Sequence, residues 1–466
     1  MFRTHHALAA AAIAAAILIP SHASADSAAS EAAHERKADR DCEDVVLADG
    51  TVAECPSVEA SQTAAIAHAT HVDVTCPPPT REDGPRGCVL DADVVLDKPL
   101  KLESFTRLDC GGHKLLPTTV GQVRIAGKAY VPSVPEVAIV LAKAQGVTVE
   151  NCQIGSLDPL RPFDFGVVVL GAKLPSEVAG DNGALHLLQN TVASNTIAVR
   201  YVGVLIGESD DTAVTDNQIV ALIGARGVGI DLLGDSDLNH LTGNTVLAHA
   251  TAEATAVVPL FPGTTPTPQK PRGIRMNLAP TPPSRLINFC MDGEVIQIPG
   301  REDALTPGSS ARQEDNVVEG NFVDFGLTSA PYGIATAAGA VRPVITGNTI
   351  VGAHQALHFS GLAPGEMFGV AGTCSLDPER ACATSADCFL TSPACGDTVS
   401  KGVCGGAKTL TLTDKSLGAT DPLVVGNTVD GSTGKVEIGM YVAIPAPHAT
   451  IIENTVRRAS LAGIRL

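Results

Sequence analysis

Side chains capable of acid–base or ionic chemistry recur at one position of a short sequence pattern. The pattern is a Gly, an aliphatic residue, any residue and then an apolar residue, and its third position faces outward if the segment is a strand. Successive copies place there Val168, Leu205, Asp231, Arg275, Ala335, His358, Tyr441 and Arg465. Proton abstraction beside a carboxylate needs a base and a cation that stabilises the developing charge. Arg275, His358 and Asp231 are therefore candidate catalytic residues, and Tyr441 and Arg465 are candidate binding residues.

Each of these residues also has a plainer interpretation. Asp231 and Arg275 occupy neighbouring copies, so an exposed ion pair explains them equally well. His358 lies in a copy with Ala356 in place of Gly, and a packed or solvated sheet residue explains it. Asp231 is a candidate Ca²⁺ ligand because Ca²⁺ takes carboxylate oxygens, although a binding role requires no cofactor. Asp210-Asp211 is the only adjacent Asp pair, and a polar turn explains it better than a hydrolase dyad.

A second pattern recurs along the chain: an apolar residue, two residues, Asn, one residue, and Val or Ile. Stacked copies would let the Asn side chains bond to one another and to turn backbone groups. The predicted structural ladder consists of Asn190, Asn217, Asn244, Asn321, Asn348, Asn427 and Asn454. The intervals between them are 27, 27, 77, 27, 79 and 27 residues. The two long intervals therefore contain one regular turn plus an insertion each.

These repeats predict short strands that stack in parallel, each coil burying its inner aliphatic residues against its neighbours. The pattern resembles the right-handed parallel β-helix superfamily, which includes the pectate-lyase-like solenoids. The resemblance covers residues 87–466, and Thr106–Leu115 (TRLDCGGHKL) resembles the first-coil signature of such proteins. It implies an all-β solenoid of about eight to ten coils. This architecture carries both enzymes and adhesins, so it does not choose a function.

The chain divides into three regions. Residues 1–25 are predicted to be a signal peptide, with a positive start, an apolar stretch and a small-residue cleavage site. Residues 26–86 are predicted to be a leader and a disulfide-closed N-terminal cap. The solenoid follows over 87–466, with insertions at about 171–184, 254–272, 278–313 and a Cys-rich loop at 361–421.

The twelve cysteines predict disulfides, because their number is even and the signal peptide implies an oxidising compartment. The sequence contains no Cys-x-x-Cys pair, the spacing that would favour zinc, and no metal site is predicted. Cys110 and Cys152 fall on adjacent coils and are candidates for one disulfide. Cys42 with Cys55 and Cys76 with Cys88 are the simplest local pairs. The remaining candidates are Cys290, Cys374, Cys382, Cys388, Cys395 and Cys404.

Composition narrows the function classes. A formal net charge of −18 argues against nucleic acid as a partner. No second long apolar segment follows the signal peptide, so no membrane insertion is predicted, and the protein is expected to be secreted or periplasmic. The favoured function is binding of polysaccharide or another cell-surface ligand without catalysis. The alternative is a lyase acting on a uronate-containing glycan. Self-association through the C-terminal coil is a further expectation.

Overall fold

The computed structural model describes the chain from residue 86 to residue 465 with several gaps. The described residues are 86–120, 133–173, 188–223, 228–250, 272–277, 288–291, 294–297, 313–325, 330–336, 339–359, 367–382, 389–390, 399–400, 403–411, 420–432, 436–442 and 448–465. The signal peptide and nearly all of the predicted leader and cap lie outside these residues, as do large parts of the four predicted insertions.

Three long parallel sheets, here named A, B and C, build the described chain. Sheet A consists of Arg86–Val89, Thr106–Asp109, Thr148–Glu150, Asn190–Ala193, Thr212–Thr215, His240–Thr242, Val317–Glu319, Val344–Thr346, Leu423–Val425 and Thr450–Ile452. One strand of sheet A comes from each turn of the solenoid. The ten strands therefore define ten coils, in agreement with the predicted eight to ten.

Sheets B and C follow sheet A in every coil. The strand Thr196–Gly207 belongs to both, because its first part pairs in sheet B and its second part in sheet C. The other strands of sheet B are Val94–Leu96, Lys114–Pro117, Gln153–Ile154, Gln218–Ile223, Thr245–Ala250, Phe322–Asp324, Thr349–Val351, Thr428–Asp430 and Thr455–Arg457. The other strands of sheet C are Leu100–Lys101, Val137–Ala142, Phe163–Leu170, Val228–Leu233, Arg272–Asn277, Ala330–Thr336, Ala353–Phe359, Ile438–Val442 and Ala462–Arg465.

The core is a set of aliphatic columns that run along the solenoid. In sheet A, Val214, Leu241 and Val318 are directly paired neighbours and each is 0% exposed. Their sequence neighbours on either side face outward, which is the two-residue alternation of a strand. Burying a side chain of this size contributes about 2 kcal/mol to the free energy of folding. Parallel pairing with one coil per layer makes the fold the predicted right-handed parallel β-helix.

An asparagine ladder marks the turn between sheets A and B. In each rung the Asn Nδ2 donates to the Oδ1 of the next Asn, at 2.9 Å from Asn217 to Asn244 and 3.0 Å from Asn244 to Asn321. The same Oδ1 accepts the backbone N–H of the preceding Asn, as Asn348 Oδ1 does for Asn321 at 2.9 Å. The ladder continues through Asn348, Asn427 and Asn454. Six of the seven predicted members are therefore confirmed.

Asn190 is the exception, and its prediction was wrong. The ladder member in that coil is Asn195, whose Nδ2 donates to Asn217 Oδ1 at 2.9 Å. Asn190 lies at the start of sheet A instead, where its Oδ1 accepts the N–H of Val147. Asn195 fits the same pattern five residues later in the sequence. The 27-residue interval from Asn190 favoured the wrong copy, because the true coil from Asn195 has only 22 residues.

A disulfide occupies the first position of the ladder. Cys110 and Cys152 are bonded, with a Cα–Cα distance of 4.7 Å, and Cys152 N–H donates to Asn195 Oδ1 at 2.9 Å. This predicted pair is confirmed. Cys88 is also disulfide-bonded. Cys42, Cys55, Cys76, Cys388 and Cys395 lie outside the described residues, and only the backbone is described for Cys290, Cys374, Cys382 and Cys404.

The described parts of two insertions are antiparallel. Asn288–Met291 pairs with Glu294–Gln297. In the Cys-rich loop, Met367–Cys374 lies between Asp377–Cys382 and Cys404–Thr411, and Phe389–Leu390 pairs with Val399–Ser400. Two further short pairs are Ser156–Leu157 with Leu160–Arg161, and Gln313–Glu314 with Ala340–Val341, the latter parallel.

Among the described residues, no helix is long and apolar enough to cross a membrane.

Candidate functional site

The third positions of the Gly-containing pattern form one column across sheet C. The strand register pairs, in order, Val140, Val168, Leu205, Asp231, Arg275, Ala335, His358, Tyr441 and Arg465. The structure thus places all five predicted site residues in one line, at the predicted order. Ala356 does not disturb the register, because Ala335 still pairs with His358.

A second outward column lies three residues before the first one. It includes Arg272, Tyr332 and Gln355, which are paired neighbours. Strict alternation from Ala335 would place Gly333 on the outer face. Gly333 turns inward instead, and a Cβ there would lie 2.4 Å from Ile350 Cγ2 of sheet B and 2.6 Å from Ala356 O. The sequence analysis missed this column because it assumed an unbroken two-residue period.

The outer face of sheet C changes character along the solenoid. In the first coils it is an apolar cluster of Val137, Val140, Phe165, Val168, Val202, Leu205, Val228 and Leu233. Each of these side chains is at most 6% exposed. From Arg272 onward the same two columns carry cations, aromatic rings and amides. A ligand therefore has polar groups to meet only on the second part of this face, within the described residues.

Asp231 and Arg275 form a closed ion pair at the boundary between the two parts. Arg275 Nε donates to Asp231 Oδ1 at 2.7 Å and its terminal nitrogen donates to Asp231 Oδ2. The Asp231 side chain is 0% exposed and that of Arg275 is 19% exposed, so the pair is buried rather than exposed. Burial opposes the charge of Arg275, but the adjacent Asp231 carboxylate outweighs it and raises the pKa of Arg275.

This geometry does not fit the catalytic and Ca²⁺ roles considered for Asp231. Both carboxylate oxygens already accept from a guanidinium, and the side chain has no exposed surface. A general base must reach the substrate proton, and a Ca²⁺ ligand must offer a free oxygen. In the part of the chain that the structure describes, no three His, Cys, Asp or Glu side chains cluster as metal ligands.

Beyond the ion pair, five side chains from five successive coils form what we name the cation–ring ladder: Arg272, Tyr332, His358, Tyr441 and Arg465. The Arg272 guanidinium lies 5.7 Å from the Tyr332 ring centroid. The Tyr332 and His358 centroids are 4.3 Å apart, and those of His358 and Tyr441 are 5.3 Å apart. Arg465 closes the stack at 5.6 Å from the Tyr441 centroid. Four coil steps make the ladder about 19 Å long.

The centre of the ladder is a neutral imidazole. Burial, reinforced by the charge of Arg272, lowers the pKa of His358 to about 4. His358 Nδ1 is 2.5 Å from Gln355 Oε1. Burial also lowers the pKa of Arg272, to about 10, with the charge of Arg275 acting in the same direction. At neutral pH the ladder therefore carries two cations and an uncharged ring.

A carboxylate cluster occupies the corner after sheet C. Asp210 Oδ1 accepts from Asp237 N–H at 3.1 Å, and Asp237 Oδ1 accepts from Glu314 N–H at 2.7 Å. Lys173 Nζ lies 2.8 Å from Asp210 Oδ1 and 3.1 Å from Asp235 Oδ2. Burial, together with the charges of Asp210 and Asp235, raises the pKa of Asp237 to about 7.

The Asp210-Asp211 pair lies in this corner. Asp210 bonds to Lys173, whereas Asp211 has a φ of 48° and accepts from Gln189 Nε2 at 2.8 Å. The two carboxylates therefore serve a turn, as the sequence analysis favoured.

The fold and site together define a parallel β-helix with a cationic, aromatic stripe on one sheet. No protein-family profile and no curated protein matches the sequence. Among solved structures, the chain is similar to the surface protein and adhesin PfbA of Streptococcus pneumoniae, at 8% identity and a TM-score of 0.34. That match covers 81% of this chain and 90% of the other. A likeness at this level decides nothing about function, and the fold assignment rests on the strand register described above.

Proposed function

We propose that this protein is exported and binds polysaccharide or another cell-surface ligand, without catalysis, along the outer face of sheet C. The observation that carries the proposal is the cation–ring ladder. It sets polar side chains in a row across five coils, which suits an extended ligand. The Cys110–Cys152 disulfide supports an oxidising, secreted or periplasmic location.

Local charge favours an acidic glycan among such ligands. The chain as a whole has a formal net charge of −18, yet Arg272 and Arg465 place two positive charges on the stripe. Neutral His358 adds no charge at pH 7. Local fields at a binding surface outweigh the distant net charge because salt screens interactions beyond about 8–10 Å.

The lyase alternative finds less support. It considered Arg275 or His358 for the role of base or cation, and Asp231 for that of a Ca²⁺ ligand. Arg275 donates two hydrogen bonds to Asp231, and its pKa is raised rather than lowered, so it cannot serve as a base near neutral pH. His358 lies two coils beyond Arg275 along the column, with Ala335 between them. We therefore propose binding rather than bond cleavage.

A glycan panel tests the proposal. The mature, oxidised protein is titrated calorimetrically with polygalacturonate, alginate, dextran sulfate and unmodified dextran. We expect binding to at least one of the acidic polymers, and about tenfold weaker binding after Arg465→Ala. Arg457→Ala is the matched control, because Arg457 is exposed in the same coil but belongs to sheet B.

Parallel assays of unsaturated-uronate absorbance and new reducing ends, with and without Ca²⁺, test the absence of catalysis. Product in either assay would overturn the non-catalytic role. Absence of binding to every polymer, or equal losses for the Arg465 and Arg457 variants, would overturn the binding surface.

A further inference from the structure

The rings of the cation–ring ladder present their edges, not their faces, to a ligand. Tyr332 lies between Arg272 and His358, and Tyr441 lies between His358 and Arg465. Each ring thus has a neighbour on both sides along the solenoid axis. Tyr332, His358 and Tyr441 are all half-buried, so each keeps part of its surface exposed although both ring faces have neighbours. A sugar ring cannot stack flat on this site, and recognition must use hydrogen bonds.

One of those edges has a defined hydrogen-bonding role. Gln355 Oε1 is an acceptor with no proton, so the His358 Nδ1 that lies 2.5 Å from it must be the donor. A neutral imidazole carries a single N–H. The other nitrogen, Nε2, therefore holds a lone pair and can only accept.

The surroundings keep the ring in that state. Arg272 and Tyr332 face His358 from the preceding coils, and Tyr441 and Arg465 face it from the following ones. None of these four residues carries a carboxyl group. Glu437 directly precedes Ile438, the residue that pairs with Gln355, and its carboxylate lies 2.6 Å from His354 Nε2. Burial and the Arg272 charge together hold the pKa of His358 at about 4.

We infer that His358 determines ligand specificity by accepting, at Nε2, a hydrogen bond from a hydroxyl group of a bound glycan, and that Gln355 is the positioning residue that fixes the required tautomer. The inference rests on the proposed function, since it names the group which that binding site reads. It separates two kinds of contact along the ladder: Arg272 and Arg465 attract acidic groups, whereas His358 selects a hydroxyl donor between them.

Two substitutions and one chemical change of the ligand test this. His358→Phe keeps a ring between Tyr332 and Tyr441 but removes the acceptor, and Gln355→Leu frees the tautomer. Each glycan of the panel is titrated in native and O-acetylated form, because O-acetylation removes hydroxyl donors and keeps the acidic groups. We expect about tenfold weaker binding of the native glycan by His358→Phe, and no further loss with the acetylated form.

Nitrogen-15 NMR of histidine-labelled protein supplies a readout that a purely structural role would not move. In the wild-type protein at pH 7, the His358 Nδ1 signal should be of the protonated type and the Nε2 signal of the unprotonated type. Gln355→Leu should shift both toward a mixture, and glycan should shift only Nε2. Circular dichroism confirms that each variant is folded.

The outcomes are distinct. If the wild-type protein binds a glycan and His358→Phe binds it equally well, the inference is wrong and the proposed function stands. If no glycan binds, the proposed function fails and the inference fails with it. An unprotonated Nδ1 in the wild-type protein would overturn the inference whatever the binding result.

Discussion

In the part of the chain that the structure describes, the asparagine ladder and the cation–ring ladder each use one residue per coil, for different ends. The asparagine ladder lies inside the turn between sheets A and B, and Asn217, Asn244 and Asn321 are each at most 1% exposed. Its side chains bind backbone groups and one another. The cation–ring ladder lies on the outer face of sheet C and its members contact side chains; its three rings and Arg272 are half-buried, and Arg465 is exposed. The first ladder holds the coils in register, whereas the second leaves polar edges for a partner.

The covalent start of the inner ladder should give the largest effect on stability. Replacing Cys110 and Cys152 together by Ala removes a crosslink between residues 42 positions apart. We expect a loss of about 4 kcal/mol in the free energy of unfolding, because the unfolded chain regains loop entropy. Urea denaturation of oxidised protein measures it. Wild-type protein in reducing agent is the comparison, and an unchanged midpoint for the double variant would contradict the prediction.

Breaking one amide rung should cost slightly less. Asn348→Ala leaves the N–H of Asn321 and the carbonyl of Val318 without their side-chain partner. Two buried unsatisfied groups predict a loss of about 3 kcal/mol. Thr349→Ala, at the neighbouring half-buried position on the outer side of sheet B, should change stability by less than about 0.5 kcal/mol. Equal losses in the two variants, measured by urea unfolding, would show that the ladder bonds contribute nothing special.

The outer ladder should respond in the opposite way, with a small loss of stability and a large loss of binding. Tyr441→Leu removes the ring between His358 and Arg465. We expect it to lower the free energy of unfolding by about 1 kcal/mol. Tyr201→Leu is the control, because Tyr201 stacks on Phe165 at 5.7 Å in the apolar part of sheet C. Calorimetric titration with acidic glycan should show weaker binding only for Tyr441→Leu. Weaker binding for both variants would point to a general loss of structure.

The smallest effect concerns the corner where carboxylates replace amides. Asp210 and Asp237 accept backbone N–H groups of the next coil, whereas each ladder asparagine accepts one from the preceding coil. Unlike an amide, a carboxylate has no proton to donate onward. Charge therefore accumulates, and burial and Asp210 raise the pKa of Asp237 to about 7.

Because this folded-state pKa lies above the unfolded one, the native protein holds the proton more tightly, and stability falls as pH rises from about 4 to 7. Asp237→Asn imitates the protonated form. We expect it to stabilise the protein by about 0.5–1 kcal/mol at pH 8 and to change little at pH 4. Urea midpoints at both pH values measure this, and a stabilisation independent of pH would contradict the assigned pKa.

The sequence predicted the inner ladder far better than the outer one. The regular 27-residue intervals predicted most of the ladder asparagines. The prediction was wrong only where Asn190 and Asn195 both fit the pattern. The column through Asp231 and Arg275 followed from the Gly-containing pattern. The pattern did not predict the second column of Arg272, Tyr332 and Gln355, because the inward turn at Gly333 breaks the two-residue period of the strand. It also did not predict that the Asp231–Arg275 pair is buried, because burial depends on packing that no local pattern encodes.

The hydrogen bonds of the asparagine ladder do not depend on how many residues separate the two bonded asparagines in the sequence. Asn217 and Asn244 are 27 residues apart and Asn348 and Asn427 are 79 apart, yet both pairs bond at 2.9 Å. The coils before and after an insertion pair in the same register as coils that have no insertion between them. A surface segment at a coil corner can therefore be lengthened, shortened or exchanged while the coils on either side keep their alignment.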